Sequence, residues 1–408
     1  MEQQPIVLDP TGTDIQGESA RIRESGPVTL VELHGVPAWS VTDAVVLQGL
    51  LTDPRVSKAA SLHWSAYLNG EITAEWPLLP WVAVDNMFTA YGADHKRLRK
   101  LVAPAFTHRR TTALQPRIEA ITAALLDKLE TVPRGEIVDL RELYCYPVPI
   151  QVISELMGVP DDRNPALRKC VDTFFDGSIG PEEGMANYLE MYGLVSEIVA
   201  MKRETPGDDI ISVLIATRDE DDDSQLLEKE LVDTLMLVIN AGHETTVNLL
   251  DQAVFALLNR PELLADVLAD KISWADVVEE TLRYEAPVAH LPLRYAVEDI
   301  EIGDVRIPKG DAILASYAGA NRDPNVHGAD ADEFDPHRAS KDKHLAFGYG
   351  VHHCVGAPLA RLEATIALPA LFARFPDLRL AEDPAGLEKV VSFISNGHAR
   401  LPVTLHAE

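Results

Sequence analysis

The pattern of hydrophobic and polar positions along this chain predicts a mostly helical protein. Apolar residues recur at helical spacing in segments 115–129, 147–157, 164–175, 182–203, 231–259, 273–284 and 357–375. Segment 231–259 is the longest, and it stops before Pro261 because proline cannot continue a helix. At 1.5 Å per residue its 29 residues would extend about 43 Å, so we expect a central helix that crosses the protein.

Short β-rich runs predict small sheets beside these helices. Residues 28–33 and 38–42 flank His34, Gly35 and Pro37, an arrangement typical of a hairpin. Further strand-like runs lie at 293–297, 300–302, 312–316 and within 389–405. Between them, residues 64–91 predict a long loop with short helical pieces, and residues 94–110 predict one basic helix.

The predicted fold class is mainly α with small β-sheets (α+β). No repeat, low-complexity tract or linker divides the sequence, so we expect one domain over residues 1–408. Its β-rich parts are predicted at about 1–60, 285–345 and 376–408, with helices in the remainder.

Composition limits the partners that this protein can have. The net charge of −28 argues against nucleic acid and anionic membranes as partners. No apolar run approaches the roughly 20 residues that span a bilayer, and the N-terminal MEQQPIVLDPTGTD lacks the features of a secretory signal. The three cysteines form no CxxC motif, which fits a reducing compartment, so we expect a cytoplasmic protein with no membrane partner.

The candidate chemistry centres on the decamer FGYGVHHCVG, residues 347–356. Glycines at 348, 350 and 356 let a flat ligand approach the backbone around Cys354. The cysteine precedes a predicted helix, whose free N–H groups stabilise a thiolate that can bind a metal such as haem iron. A zinc site of His352, His353 and Cys354 is the alternative, but adjacent residues point in divergent directions and no second ligand pair follows.

Three further motifs stand out. The sequence AGHETT, residues 241–246, places Gly242 and two threonines in the middle of the predicted central helix, where better helix formers are expected. Glu280 and Arg283 are three apart on one helix face, where an ion pair can form. His95 and Arg99 are four apart in the basic segment 94–110, a spacing that also fits a solvated helix surface.

Together, the motifs AGHETT, EETLR, FDPHR and FGYGVHHCVG, preceded by DHKRLR, resemble a soluble bacterial cytochrome P-450 from end to end. The segments VDNMFTAYGADHKRLRKLVAPAF, WADVVEETLRYEAPVAHLPLRYAVEDI and SFISNGHARLPV resemble an actinobacterial branch that acts on macrolides, steroids and other bulky lipophilic molecules. The resemblance implies a haem held between a long central helix and a cysteine loop.

The resemblance also implies roles for individual residues. Cys354 would be the axial ligand of the haem iron, with Phe347 beside its sulfur. The implied contacts to haem or its propionates are His95, Arg99, Ala241, Arg294, Gly348, His352 and Gly356, although many relatives have arginine at the position of His352. Glu280, Arg283 and Arg338 would form a buried triad that orders the loop before the cysteine.

On the opposite side of the haem, Thr245 and Glu244 match the alcohol and the acid used in oxygen activation. Two protons must reach the distal oxygen of bound O2, which a hydroxyl and a carboxylate can deliver. Ala241 and Gly242 would leave room for oxygen.

The substrate pocket implied by the resemblance is lined by Met87, Phe88, Phe174, Ile239, Asn240, Val288, His290, Leu291 and Ile394. In this mostly apolar wall, Asn240 and His290 would orient a polar group.

The sequence therefore predicts a haem-thiolate monooxygenase that contains haem b and inserts one oxygen atom from O2 into a C–H bond of a bulky lipophilic substrate. Electrons would come from a ferredoxin and its ferredoxin reductase, since no flavin or iron–sulfur module is present. The expected docking face holds Arg109, Arg110, Lys341, Lys343 and Arg361. Oxidative coupling of phenols or aryl groups is an alternative, and a non-catalytic haem sensor is a third, which the Glu244/Thr245 pair disfavours.

Overall fold

The structure is a computed structural model that describes residues 4–175, 179–221 and 223–406, so the first three residues of the N-terminal segment considered above lie outside it. The α-helices are α1 (Ile15–Glu24), α2 (Ala44–Thr52), α3 (Ala60–His63), α4 (Ser65–Leu68), α5 (Leu79–Val82), α6 (Gly92–Val102), α7 (His108–Ala113), α8 (Gln115–Glu130), α9 (Pro147–Met157), α10 (Asn164–Phe175), α11 (Pro181–Glu204), α12 (Ile210–Ala216), α13 (Glu228–Leu258), α14 (Pro261–Leu268), α15 (Trp274–Tyr284), α16 (Tyr317–Asn321), α17 (Pro324–His327) and α18 (Ala357–Arg374). The strands are β1 (Ile6–Val7), β2 (Val28–Leu33), β3 (Val36–Val41), β4 (Val56–Ser57), β5 (Ile137–Asp139), β6 (His290–Ala296), β7 (Ile300–Ile302), β8 (Val305–Ile307), β9 (Ala312–Ser316), β10 (Arg379–Leu380) and β11 (Pro402–Thr404).

The largest sheet joins distant parts of the chain in the order β1-β2-β3-β9-β6-β4. The predicted hairpin is confirmed, since β2 and β3 are antiparallel and Leu33 pairs with Val36. His34 (φ 48°) and Gly35 (φ 79°) form its two-residue turn, with the positive φ angles that such turns require. β9 then runs parallel to β3 and antiparallel to β6, which brings residues 290–316 against the N-terminal hairpin.

The C-terminal strands are fewer than predicted. In the range 389–405 the structure has β11, together with an isolated bridge between Lys389 and His398. β11 pairs with β10 and with β5, a strand that hydrophobic alternation did not reveal because it has only three residues. The small remaining sheet is the β7–β8 hairpin.

The predicted central helix is confirmed as α13, a 31-residue helix that is buried on nearly all sides. Its first turn is capped by Glu230, whose carboxylate accepts a hydrogen bond from the Leu227 N–H at 2.8 Å. It packs against α9, α11, α15 and α18. Because α13 is buried on nearly all sides and carries polar as well as apolar residues, the groups on its middle turns lie inside the molecule.

The predicted basic helix at 94–110 is wrong in its extent. α6 ends at Val102, a 3₁₀ turn covers Ala103–Phe106, and α7 begins at His108. The cause is Pro104, which has no N–H to donate and whose ring clashes with the preceding helical turn. Arg109 and Arg110 therefore lie on a different helix from His95 and Arg99.

The fold class is confirmed as mainly α with small β-sheets. Two large hydrophobic clusters lie along α13, one containing residues from α9 and α11 and the other containing residues from α15 and α18. Among the described helices, none combines the length and the hydrophobicity needed to cross a membrane.

Candidate active site

The loop that carries Cys354 closes on itself just before α18. The Cys354 N–H donates to the Phe347 carbonyl at 2.9 Å, and α18 begins three residues later. Gly348 (φ 67°) and Gly350 (φ 70°) adopt the left-handed conformation that favours glycine. A Cβ at Gly350 would also lie 2.8 Å from the Leu51 carbonyl oxygen, so only glycine fits there. Gly356 keeps negative φ and instead leaves space beside the Cys354 sulfur.

Cys354 has the surroundings of a metal-binding thiolate. Its side chain is accessible although protein surrounds the thiol, so it faces an internal space and is not packed in the core. Burial raises the pKa of the thiol, while the N–H groups of Gly356 and Ala357 and the guanidinium groups of Arg99 and Arg361 act in the opposite direction. These donors stabilise a sulfur anion, and a bound cation would complete the charge balance. The donor set thus fits a haem iron.

Phe347 lies against a network that fixes the proximal side of the loop. The guanidinium carbon of Arg361 lies 4.6 Å from the centre of the Phe347 ring. Arg361 donates two hydrogen bonds to Glu279, and His344 contacts the same carboxylate at 3.1 Å. The pKa of Glu279 falls to about 2 because the hydrogen bonds from Arg361 and His344 outweigh the effect of burial.

Four cationic or basic residues predicted to bind propionates occupy neighbouring positions. The rings of His95 and His352 are 4.1 Å apart between centroids. Arg294 is only 4% exposed, and its Nη1 has no hydrogen-bond partner among the described residues. Arg99 donates to the His353 carbonyl at 2.7 Å and therefore also supports the cysteine loop. Buried cations without counter-ions are costly, so an anionic group such as a propionate fits this cluster.

Lys58 belongs to the same cluster, and sequence reasoning missed it. The residue is 3% exposed and its Nζ has no hydrogen-bond partner among the described residues. Burial and the charge of Arg294 push the pKa of Lys58 well below its usual value. Its signal in the sequence was weak, since one lysine within VSKAAS reads as an ordinary surface residue.

The middle turns of α13 open toward an internal space at Ala241 and Thr245. Ala241 is exposed and Gly242 and Thr245 are partly exposed, although the other positions from 238 to 250 are buried. The Thr245 hydroxyl donates to the Ala241 carbonyl at 2.8 Å. Gly242 has a different role from the one expected, because a Cβ there would lie 2.5 Å from Ile153 Cδ1. Glycine at this position permits close packing of α13 on α9.

Glu244 points away from the face that carries Thr245, as expected for successive residues separated by 100° around a helix. Its carboxylate accepts hydrogen bonds from Arg141 Nη2 at 2.9 Å and from the Ser395 hydroxyl at 3.0 Å. Arg141 also donates to Asn248 at 2.9 Å and lies 3.6 Å from Asp251. Burial raises the pKa of Glu244, against the opposing effects of Arg141 and Ser395. The acid predicted for oxygen activation is therefore held in a buried ion pair.

The Glu280, Arg283 and Arg338 side chains come together inside the protein. Glu280 and Arg283 are both 0% exposed and form two hydrogen bonds of 2.8 Å. Arg338 Nε lies 3.6 Å from Glu280, whose carboxylate also accepts the Asp335 N–H at 2.8 Å. Arg283 donates further to the carbonyls of Asn321, Ala331 and Glu333. The triad thus ties α15 to the irregular segment that leads to the cysteine loop.

Two of the predicted pocket residues have buried polar atoms without partners among the described residues. Asn240 Oδ1 is unpaired, while its Nδ2 makes a weak contact of 3.7 Å with the Met191 sulfur. Both ring nitrogens of His290 are unpaired, and the ring stacks on Phe393 with centroids 5.9 Å apart. Burial lowers the pKa of His290 to about 4, so the ring is neutral near pH 7.

The other predicted pocket residues fall into separate groups. Met87 and Ile239 belong to one buried cluster, and Phe174 contacts Trp81 with ring centroids 5.5 Å apart. Val288 bridges to Ser395, next to Ile394, whose carbonyl accepts the Ala289 N–H at 2.8 Å. Phe88 lies under the Lys58 ammonium at 3.8 Å.

Leu291 differs from the rest of the predicted pocket. It follows His290 on β6, so its side chain points to the opposite face of the strand. There it packs against the hydrophobic cluster that contains Val41, Leu47 and Ala315. The structure therefore places Leu291, which is partly buried, against this cluster.

The zinc alternative has no candidate ligand set in the described part of the chain. No three His, Cys, Asp or Glu side chains there approach closely enough to hold a metal ion together. A single cysteine that faces an internal space, near buried cations without partners among the described residues, fits a haem site instead.

Comparison with known proteins extends these observations. The family model that matches residues 274–384 is described as cytochrome P450. The 2-hydroxy-5-methyl-1-naphthoate 7-hydroxylase of Streptomyces carzinostaticus is 47% identical over 402 residues, which cover 98% of this chain and 97% of the relative. The solved structure of CYP154A1 from Streptomyces coelicolor A3(2) is 55% identical with a TM-score of 0.91, covering 98% of this chain and 100% of that one. Testosterone-bound CYP154C4 from Streptomyces sp. ATCC 11861 is 44% identical with a TM-score of 0.95 and covers 99% of both chains.

Proposed function

This chain belongs to the cytochrome P450 family and is a P450 monooxygenase, and we propose that it hydroxylates a rigid, largely apolar, multi-ring or macrocyclic substrate that carries at least one polar group. The observation that carries this proposal is that Asn240 Oδ1 and both ring nitrogens of His290 are buried without partners in the described part of the chain, in a predicted pocket wall that is otherwise apolar. Unpaired buried polar groups are costly, so a substrate oxygen that satisfied them would be selected over a purely hydrocarbon one.

The family's cofactor is a haem iron bound by a cysteine thiolate, and we propose that this haem is haem b. The three cysteines include no CxxCH sequence of the kind that attaches haem covalently. Cys354 would hold the iron, while the cations of α6, β6 and the cysteine loop would hold the propionates. When bound, the haem supplies the oxidising chemistry that activates O2.

We further propose that Thr245 and Glu244 divide the delivery of protons between them. Thr245 lies on the open face of α13, where its hydroxyl can donate to an oxygen in the internal space. Glu244 is held by Arg141 and Ser395, so it can pass a proton to this space only when its side chain leaves that ion pair. Arg141 thus positions Glu244 and keeps it from serving as an uncontrolled route for water and protons.

The printed names of relatives support the proposed class of substrate. One relative hydroxylates a naphthoate, and one similar structure contains testosterone. Both molecules are rigid fused-ring compounds with polar substituents, which fits the neutral His290 ring as a hydrogen-bond donor or acceptor. Substrate position would then be set by one or two hydrogen bonds within an apolar wall.

Ferredoxin and its reductase are proposed as the electron donors, with docking near the cysteine loop. Among the cations expected at that face, three are already paired in the structure: Arg110 with Asp208, Lys341 with Asp276, and Arg361 with Glu279. Arg109 and Lys343 are exposed and, in the described part of the chain, make no ion pair. We therefore propose that these two residues contribute most to the docking of an acidic partner.

Three free cysteines support the proposal that the protein acts in the cytoplasm, where thiols stay reduced. Cys145 and Cys170 are buried and serve packing, so neither requires an oxidising compartment.

The proposed function is tested by spectroscopy and product analysis. The reduced protein with carbon monoxide should show the strongly red-shifted Soret band of a thiolate ligand, and a band at the position typical of histidine ligation would refute Cys354 as the ligand. Titration with testosterone, a naphthoate and a macrolide should shift the spin state with at least one of them.

Product mass separates hydroxylation from the alternative of oxidative coupling. A gain of one oxygen atom supports hydroxylation, whereas a loss of two hydrogens with a new ring-to-ring bond supports coupling. A His290→Phe variant should weaken binding of the polar substrate about tenfold or more, as expected for the loss of a hydrogen bond to a buried group. It should not weaken binding of an apolar analogue.

A further inference from the structure

Lys58 lies opposite Arg294 across two paired strands. β4 and β6 are antiparallel, with Val56 opposite Ala296 and Ser57 opposite Tyr295. Continuing this register by one residue places Lys58 opposite Arg294. Directly opposed residues on antiparallel strands project to the same face, so the two cationic side chains share one environment.

Neither cation has a counter-ion in the described part of the chain. Lys58 Nζ and Arg294 Nη1 are both buried and without hydrogen-bond partners there. The Phe88 ring lies 3.8 Å below the Lys58 ammonium, and Tyr317 lies 3.4 Å from Arg294 Nη2. A ring face and a neutral hydroxyl do not offset the desolvation of two like charges that are side by side. The pair therefore requires an anion.

The position of the pair indicates which anion it binds. The Tyr317 hydroxyl, which is 3.4 Å from Arg294 Nη2, lies 3.4 Å from the position that a Cβ would take at Gly348 in the cysteine loop. The ring of His352 also contacts that of His95. Lys58 is thus beside the loop that holds the iron ligand, on the side where the predicted propionate residues lie. The residues around the pair would therefore hold a propionate of the haem that Cys354 would bind.

We infer that Lys58 and Arg294 together bind one haem propionate, so that Lys58 is a haem-anchoring residue of this protein. This inference rests on the proposed binding of haem b. Arg99 is less able to bind that propionate, because its Nη2 already donates a hydrogen bond to the His353 carbonyl. A shared carboxylate would give both buried cations a charge-assisted hydrogen bond.

The test compares four proteins: the wild type, Lys58→Met, Lys58→Arg and Lys96→Met. Methionine keeps the length of the lysine side chain and removes its charge. Lys96 is the matched control because it is an exposed lysine on α6, next to His95.

Haem loss is measured as the rate of transfer from the holoprotein to excess apomyoglobin. We expect about tenfold faster loss from Lys58→Met, the effect of removing one charge-assisted hydrogen bond, and no change for Lys96→Met. Lys58→Arg should retain haem nearly as well as the wild type.

A second measurement identifies the propionate directly. Each haem-free protein is reconstituted with haem and with haem dimethyl ester, whose side chains carry no charge. The wild type should prefer haem, and Lys58→Met should lose about tenfold of that preference. The thermal midpoint of haem-free Lys58→Met should also exceed that of the haem-free wild type, because an unpaired buried charge has been removed.

Two outcomes would overturn the inference. An unchanged preference for haem over its ester, combined with weaker binding of a naphthoate, would assign Lys58 to a substrate carboxylate. Unchanged haem transfer and unchanged naphthoate binding would leave Lys58 with a packing role alone. Failure of the wild type to bind haem would instead refute the proposed function, so the two failures are distinguishable.

Discussion

Arg141 Nη2 donates a hydrogen bond of 2.9 Å to Glu244 although the two residues are 103 positions apart in the chain. Both side chains are about 10% exposed, and the same guanidinium lies 3.6 Å from the fully buried Asp251. One arginine therefore compensates two carboxylates on α13, one of which lies next to Thr245. The charge of the turn that carries Glu244 and Thr245 therefore depends on a residue from outside α13.

Replacing Arg141 by Met should destabilise the protein by about 3–5 kcal/mol, since it leaves the buried Glu244 carboxylate without a counter-ion, whereas Asp251 keeps its contact with His398. Urea unfolding followed by circular dichroism measures the loss. Arg168→Met is the control, because Arg168 pairs with Glu142 at the surface and its removal should cost less than about 1 kcal/mol. Equal losses in the two variants would contradict the central role of Arg141.

Replacing Thr245 by Ala should uncouple electron consumption from product formation. Its hydroxyl is the polar side-chain group that α13 presents on its open face, so its loss should lower product yield by at least about tenfold while peroxide rises. Thr245→Ser keeps the hydroxyl and should remain largely coupled. Product yield and peroxide are measured together, and a fully coupled alanine variant would exclude Thr245 from proton delivery.

Replacing Gly242 by Ala should lower stability through steric conflict between two helices. The new methyl group would lie 2.5 Å from Ile153 Cδ1, so α9 or its side chain must move at a cost of about 1–3 kcal/mol. The double variant Gly242→Ala/Ile153→Val removes that Cδ1 atom and should recover part of the loss. Thermal midpoints of the haem-loaded proteins give the comparison, and additive losses would show that the two sites do not interact.

The buried His290 should make stability depend on pH. Its pKa is lowered from an ordinary value of 6.5 to about 4, so the unfolded chain binds a proton on this residue more readily than the folded protein does. Stability from the neutral ring is complete above about pH 6.5 and decreases as pH falls toward 4, by roughly 1.4 kcal/mol per pH unit.

The pH dependence of His290 is checked by thermal midpoints between pH 7 and pH 4 for the wild type and His290→Gln. The variant should show a shallower decline across this range. His337→Gln, at an exposed histidine, is the control and should follow the wild type. If His290→Gln also follows the wild type, then His290 does not titrate in this range.

The sequence alone was sufficient for features that depend on local pattern. The period of apolar residues identified α13 to within three residues and α15 to within one residue at each end, since side chains three and four apart must share a face. Glycines at 348 and 350 identified a loop that needs positive φ. Local pattern failed at residues 94–110, where the basic periodicity continued across Pro104 but the helix did not.

Tertiary structure decided how charges are paired. Lys58 and Arg141 each gave a local signal consistent with an ordinary residue, and Gly242 stood out in its helix but was expected to face oxygen. The contacts of these residues with β6, with Glu244 and with Ile153 come from the fold. The sequence determined that this protein has a cysteine loop, a central helix and a threonine on its middle turn. Only the folded chain decided that Glu244 is bound to Arg141 and that Lys58, opposite Arg294, has no hydrogen-bond partner among the described residues. The reason is physical: periodicity is set by neighbours in the chain, whereas the energy of a buried charge is set by whichever distant residues the fold brings within a few ångströms.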